Sequence, residues 1–337
     1  MKKRYTLGKT DIEITPIGLG TWQFSRSRGL AGRYWAAVPQ ETVVEIVRAT
    51  LEGGINWFDT AEVYGNGASE ESLADALREI GAARESYLIA DKWFPAFRGA
   101  ASIRKTFPAR KRALAAISPQ PTAGASVDLH QIHQPFSFSS VEKQAAEMGQ
   151  LVKDGLVRAV GVSNFNLQRM RRAHDRLAAM GVPLASNQMR YSLIDREIER
   201  NGVLDAAKER GITIIAYSPL SQGILSGRFH DGEDIRNSHG PRKWLGRFKA
   251  AGLAATRPLV DALRTVAATH NCTPAQVALA WTVQMHGTDV VAIPGASSAR
   301  QAASNAAALA VQLSQQELAD LDQAGRAAER ALKKLRD

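Results

Sequence analysis

The sequence predicts an α/β protein, a single (β/α)8 TIM barrel over residues 1–337 with an N-terminal β-hairpin and extra helices. Three observations carry that prediction. Short apolar β-branched runs alternate with longer amphipathic stretches after residue 16, the pattern of parallel strands joined by crossover helices. Eight such runs can be counted. No long linker or shift in composition divides the chain into two doubly wound halves.

Residues 1–16 read as two short strands around the turn Gly8–Lys9–Thr10–Asp11, a hairpin placed to cap the N-terminal mouth of the barrel. The barrel strands follow as IGLGTW (17–22), INWFDT (55–60), SYLIAD (86–91), VDLHQIH (127–133), RAVGVS (158–163), ASNQMR (185–190), TIIAYS (213–218) and VVAIPG (290–295). After the first strand, PQETVVEIVRATLEGG carries Pro39 near its start, apolar residues at helical spacing through Val43, Ile46, Val47 and Leu51, and Gly53–Gly54 at its end. The same helix–Gly–strand joint recurs at Gly155 and Gly211. A helix is expected over 104–118, with Pro108 interrupting it or delaying its start. Residues 221–255, rich in Gly, Ser, His and Arg, form a long loop before a helix that begins near Thr256, and loops of this length are usually functional or mobile. Helices at 298–309 and 314–325 close the chain, the stretch 310–337 forming a C-terminal helical tail.

Composition narrows the class further. No apolar run reaches the roughly 20 residues of a membrane span, and no signal peptide follows the basic start. The single cysteine, Cys272, excludes an intrachain disulfide framework and a cysteine-built metal site, which fits a reducing cytoplasm. Lysine and arginine outnumber acidic residues 43 to 33, giving a formal net charge of +10. Much of that excess lies in 98–112 and in the tail from Arg326, with no aromatic platform of the kind single-strand binders use, so neither a nucleic acid nor a membrane is expected as a partner. A solvated basic surface accounts for most of these charges, although the run 98–112 follows the third strand and could attract an anionic substrate.

Four residues at strand ends supply the parts needed to protonate a carbonyl: Asp59 in WFDTAEVYGNG, Tyr64 in the loop that follows, Lys92 in YLIADKW and His133 in HQIHQP. In such a barrel the active site is built at the C-terminal ends of the strands. A phenol is a poor acid at neutral pH, and a nearby buried cation, here Lys92, favours its anion. The buried ammonium needs a counter-charge, which Asp59 offers, and His133 can donate a hydrogen bond to the carbonyl oxygen. His130 and His133 point to opposite faces of one strand, so they cannot share a metal ion and no metal site is expected; His133 faces the mouth and His130 is a histidine satisfied within the strand. His174, His230, His239, His270 and His286 lie in helical or loop contexts without chemistry.

Together with GLGTW (18–22), GVSNF (161–165), Asn187–Gln188, AYSPLSQGIL (216–225) and IPGASSARQAASN (293–305), these segments resemble the aldo-keto reductases from the hairpin to the helix near 309. The resemblance implies reduction of an aldehyde or ketone by hydride transfer, with Tyr64 as general acid, Lys92 and Asp59 as its tuning pair and His133 as the orienting residue. It implies a nicotinamide cofactor lying extended across the barrel mouth, and no G-x-G-x-x-G is needed for that. The positions it assigns to the cofactor are Gly20, Thr21, Trp22 and Asp59, with Ser163, Asn164 and Gln188 for the carboxamide and Tyr217 stacking on the nicotinamide. Ser218, Pro219, Leu220, Gln222 and Gly223 would hold the pyrophosphate, and Ile293, Gly295, Ser297, Arg300, Gln301 and Asn305 the adenosine end.

Many members grip the 2′-phosphate with a lysine or arginine where this chain has Ser297, Ser298 and Gln301, and Arg300 is the cation nearby. NADP(H) is preferred, with NAD(H) possible. Trp22, Tyr64, Trp93 and His133 are expected to line the substrate pocket, while Trp57 could face either the pocket or the lumen. Loops 24–38, with Tyr34 and Trp35, and 221–255, with Trp244, would border it. An alternative is a cofactor-binding regulatory subunit of the channel β-subunit type; an aldolase-like barrel would leave the Asn164, Gln188 and Tyr217 phrases without purpose. The sequence leaves the carbonyl substrate and the oligomeric state open.

Overall fold

The computed structural model describes residues 3–29, 34–117, 127–237 and 240–335. Strands β1 (Tyr5–Thr6) and β2 (Glu13–Ile14) form the antiparallel hairpin, with Tyr5 opposite Ile14. Eight parallel strands follow in sequence order: β3 (Leu19–Gly20), β4 (Trp57–Asp59), β5 (Leu88–Trp93), β6 (Val127–Ile132), β7 (Val157–Ser163), β8 (Leu184–Arg190), β9 (Thr213–Tyr217) and β10 (Val290–Ile293). Parallel bridges from Ile17 to Ala292 and from Gly20 to Gly295 bring the first strand against the last, so the sheet closes on itself. All eight expected strands are present.

Alternation along these strands builds two cores. Residues pointing inward, Trp57, Ala90, Leu129, Ala159, Ala185, Ile215 and Val291, fill the lower lumen, and Tyr5, Leu7, Ile12 and Ile14 of the hairpin cover them from below. Trp57 therefore packs the lumen, where its Nε1–H donates to Thr15 O at 2.9 Å, and it takes no part in the mouth. A Cβ on Gly18 would come within 2.3 Å of that indole, so the ring's close approach requires glycine there. Outward residues such as Phe58, Ile89 and Val160 meet the helices and belong to the larger core. Each fully buried aliphatic or aromatic side chain contributes about 1.5–3 kcal/mol.

The surrounding helices are α1 (Gln40–Glu52), α2 (Ala68–Glu79), α3 (Ser102–Ala113), α4 (Val141–Lys153), α5 (Leu167–Ala178), α6 (Val203–Arg210), α7 (Ala250–Thr269), α8 (Pro274–Gln284), α9 (Ala299–Ala307) and α10 (Gln315–Lys334). Three differ from the expectation. Helix α3 starts at Ser102 and continues through Pro108, because Ile103 and Phe107 anchor it to the core on the N-terminal side of the proline and Leu114 at its far end. The expected end at residue 118 lies outside the described residues. Helix α7 begins at Ala250, a turn and a half earlier than Thr256, and also runs through a proline, Pro258. Helix α10 extends to Lys334, since Leu321, Ala328 and Leu332 keep one face buried along its length. Among the described residues no helix is long and apolar enough to cross a membrane.

Candidate active site

Strand β5 sends Lys92 into the upper lumen and its neighbours Asp91 and Trp93 outward. Lys92 and Asp59 are 0% and 1% exposed and form an ion pair. The ammonium also donates to Thr60 O at 2.8 Å. The second carboxylate oxygen of Asp59 accepts from Gln188 Nε2 at 2.9 Å and Gln131 Nε2 at 3.2 Å. Asp59 is thus held by three side chains from three strands. The part played by Gln131 was not foreseen; its position two residues before His133, on the same face of β6, was the available signal.

Tyr64 lies in the loop between β4 and α2, with the Lys92 ammonium 5.1 Å from its ring centroid. Burial raises the phenol above its ordinary pKa, and Lys92 opposes that shift without reversing it. The lowering expected from the lysine is present but is outweighed by desolvation, so the hydroxyl stays protonated at neutral pH. Burial disfavours charge on Lys92 as well, but Asp59 and Tyr64 more than offset it and its pKa lies above the usual value. His133 is held well below the usual imidazole range, first by burial and then by Lys92, and is neutral.

The tetrad residues come together with aromatic walls around them. Trp22 stacks on Tyr64, centroids 5.7 Å apart, and Tyr34 stacks on the other side of Trp22 at 4.7 Å. Trp35 meets Trp22 edge-on. The His133 ring stands edge-on to Tyr64 at 5.6 Å and to Phe94 at 5.7 Å, and Phe94 meets Phe136. Phe94 and Phe136 were not singled out from sequence. Trp93 corrects the expected pocket: 1% exposed, it packs toward α3, where its Nε1–H donates to Ser102 Oγ at 3.1 Å. Lys92 occupies the inward position of the alternation, so Trp93 must face the helices.

The residues assigned to the cofactor lie near or beyond the C-terminal ends of β3, β4 and β7 to β10. Ser163 Oγ donates to Gln188 O at 3.0 Å, Asn164 Nδ2 to His133 O at 3.3 Å, and the Tyr217 hydroxyl to Asn164 Oδ1 at 3.0 Å. Gly20 and Thr21 sit at the closing seam, where Gly20 N donates to Pro294 O at 3.0 Å. Thr21 is fully buried and its hydroxyl is engaged with Asp59 O and Ser69, so it supports the site from behind. Around Pro219 and Leu220, the backbone of Ser218, Ser221, Gln222 and Gly223 is left-handed, with φ of 54°, 46°, 60° and 104°. The turn is closed internally, Ser221 N donating to Ser218 O at 2.8 Å and Gly223 N to Leu220 O at 2.9 Å. Gln222 Nε2 donates to the Tyr34 hydroxyl at 2.9 Å, joining this loop to the 24–38 loop, whose residues 30–33 lie outside the described residues. After Ile293 and Gly295, helix α9 begins at its N-cap Ser298; Gln301 Oε1 accepts from Ser297, Asn305 Nδ2 donates to Gly295 O at 3.3 Å, and Arg300 is exposed.

Half of the cations in the basic run 98–112 are committed to acids: Arg98 and Arg110 pair with Glu62, and Arg104 pairs with Asp154. His130 is buried on the outer face of β6, its Nδ1 3.6 Å from Asp91 and without a hydrogen-bond partner, so it is less satisfied than expected. Burial and Arg110 hold it neutral, with a pKa of about 3. His230, His270 and His286 engage Thr256, Glu317 and Tyr191, and His174 is beside Asp175. His239 lies outside the described residues.

Comparison with known proteins places the chain in a family. The family model described as "Aldo/keto reductase family" matches residues 16–326. An uncharacterized oxidoreductase of Mycobacterium tuberculosis is 38% identical over 317 residues, covering 94% of this chain and 90% of its own. Among solved structures, the glycerol dehydrogenase from Gluconobacter oxydans superposes with a TM-score of 0.78 at 26% identity, over 95% of this chain and 94% of that one. The Klebsiella pneumoniae aldo/keto reductase in complex with NADP and acetate gives a TM-score of 0.71 at 28% identity, over 96% and 95%. With a match that spans nearly the whole barrel, the chain belongs to the aldo/keto reductase family.

Proposed function

We propose that this protein reduces the carbonyl of a small aldehyde or ketone to an alcohol, with NADPH preferred and NADH usable. The observation that carries the reading is the buried Lys92–Asp59 pair with a protonated phenol, Tyr64, beside it at the open end of the barrel.

The residues present fit a nicotinamide dinucleotide. Gln188, Asn164 and Ser163 bring amide and hydroxyl groups to the ends of β7 and β8, Tyr217 is bonded to Asn164 beside them, and the turn at 218–223, which follows β9, would hold the pyrophosphate. Ser297, Ser298 and the exposed Arg300 support a 2′-phosphate at the start of α9. When bound, the reduced dinucleotide supplies the hydride. Tyr64 gives its proton to the carbonyl oxygen as negative charge develops there, and the positive Lys92 stabilises the phenolate left behind. Asp59 keeps Lys92 charged and aimed, and neutral His133 donates an N–H toward the same oxygen. Trp22, Phe94 and Phe136 form the apolar sides that exclude water from the transfer.

Tyr64→Phe tests the assignment. Carbonyl reduction, followed as loss of NADPH absorbance, should fall by at least about 100-fold, within the range for removal of a general acid. Binding of NADPH, followed by its fluorescence, should persist. Retained turnover would remove Tyr64 from the role.

A further inference from the structure

Tyr64 sits in a loop whose conformation is not set by regular structure. Gly65, Asn66 and Gly67 are all left-handed, at φ of 70°, 55° and 96°, and Asn66 is not a glycine. Such a turn persists only where its surroundings hold it. Buried acids flank it: Glu62 before the turn is 7% exposed, and Glu70, in the first turn of α2, is 0% exposed. A single guanidinium bridges them. Arg110 of α3, 12% exposed, donates from one NH group to Glu62 Oε2 at 3.0 Å, and its Nε lies 3.0 Å from Glu70 Oε1.

We propose that Arg110 is a positioning residue that bonds Glu62 before the Tyr64 turn, packs its Nε edge against Glu70 in the first turn of α2 after it, and thereby sets where the Tyr64 hydroxyl meets Lys92 and the substrate. The inference rests on the proposed role of Tyr64. Glu62 also accepts from Phe94 N at 2.5 Å and from Arg98 at 2.7 Å, so the loop is tied at the same carboxylate to the end of β5, just beyond Lys92. Behind that strand, Asp91 is fully buried with neither carboxyl oxygen hydrogen-bonded, and Arg110 is the cation that most offsets the cost of its burial. The guanidinium is suited to this place because one NH group bonds Glu62 while its Nε edge faces the Glu70 carboxyl, which burial and Asp91 hold well above the usual carboxylate range and Arg110 only partly offsets.

Removing the clamp should displace Tyr64 without touching the cofactor groove. In Arg110→Ala, kcat should fall by about 10- to 100-fold, the scale of a loss from a displacement near 1 Å. NADPH binding measured by fluorescence should stay within about twofold. Millimolar guanidinium should restore much of the lost kcat, and ammonium at the same concentration should not. Glu62→Gln offers a gentler break, since the amide oxygen can still accept from Phe94 N–H while the amide nitrogen no longer pairs with Arg110. Its kcat should fall by about tenfold or more with the KM for the carbonyl little changed. A role in folding alone would lower the melting temperature and leave kcat, measured well below it, at the wild-type value in both variants; that result would overturn the inference. If Arg110→Ala does not fold, an unchanged kcat in Glu62→Gln overturns it by itself. Tyr64→Phe separates the two readings. An inert Tyr64→Phe beside a fully active Glu62→Gln defeats only the clamp, whereas an active Tyr64→Phe defeats the general-acid role and the clamp with it.

Discussion

Replacing Asp59 by asparagine isolates the electrostatic centre of the site. The side chain keeps its volume but loses the charge that faces Lys92, and its new amide nitrogen competes with two donors, Gln131 at 3.2 Å and Gln188 at 2.9 Å. Lys92 is 0% exposed, so no water replaces the lost partner. Breaking one side of a buried pair in this way costs about 3–5 kcal/mol. For a chain of this size, at about 2 °C per kcal/mol, the melting temperature should drop by roughly 6–10 °C.

The pH dependence gives the sharper result. In the wild-type protein the Lys92 pKa is raised, so the stability it contributes is fully present below the unfolded value and is lost only as pH rises through the folded one, above the neutral range. In the variant, burial acts without Asp59 and depresses that pKa. The unfolded chain then binds the extra proton, and stability should rise as pH increases from neutrality toward the unfolded lysine pKa near ~10. Thermal unfolding from pH 6.5 to 9.5 measures this directly. A variant within about 1 kcal/mol of wild type and with the same pH slope would refute the reasoning, because it would mean that Lys92 never depended on Asp59.

Further outcomes follow from other groups in the site. Because His133 is held well below the usual imidazole range, it should add no limb to kcat/KM for carbonyl reduction between pH 6 and 8; a limb there that disappears in His133→Gln and persists in Asp91→Asn, whose wild-type carboxyl is pushed up to about 7, would contradict a neutral His133. Trp93→Phe should leave the KM for the carbonyl unchanged and cost about 1–3 kcal/mol in urea denaturation through lost packing and the lost bond to Ser102, while a change in substrate preference would return Trp93 to the pocket. Trp22→Ala, in contrast, should raise that KM several-fold with a smaller effect on stability, as steady-state kinetics on an aromatic aldehyde would show.

Much of the barrel was legible in the chain because periodicity is a local property. Runs such as Val157–Ser163 and Thr213–Tyr217 are short, β-branched and bounded by glycine-ended helices, so their strands could be placed within a residue or two. Helices through proline were harder. Pro108 and Pro258 argue locally for a break, and packing of their neighbours on the core overrides that preference. The tetrad could be found because each member adjoins a recognisable strand. Gln131, Phe94 and Arg110 could not be assigned in the same way, since their roles depend on partners up to 72 residues away, as for Gln131 and Asp59.

Sequence alone therefore determined the succession of strands and helices and the four chemical groups at the strand ends, since side-chain type and spacing act over a few residues. Only the tertiary structure decided which way each side chain pointed and how strongly it was desolvated. Closure of the barrel set Lys92 inward and Trp93 outward, buried Tyr64 enough to outweigh the pull of the ammonium, and brought Arg110 between two distant carboxylates. Those outcomes depend on distance through space and on exclusion of water, neither of which the linear order of residues contains.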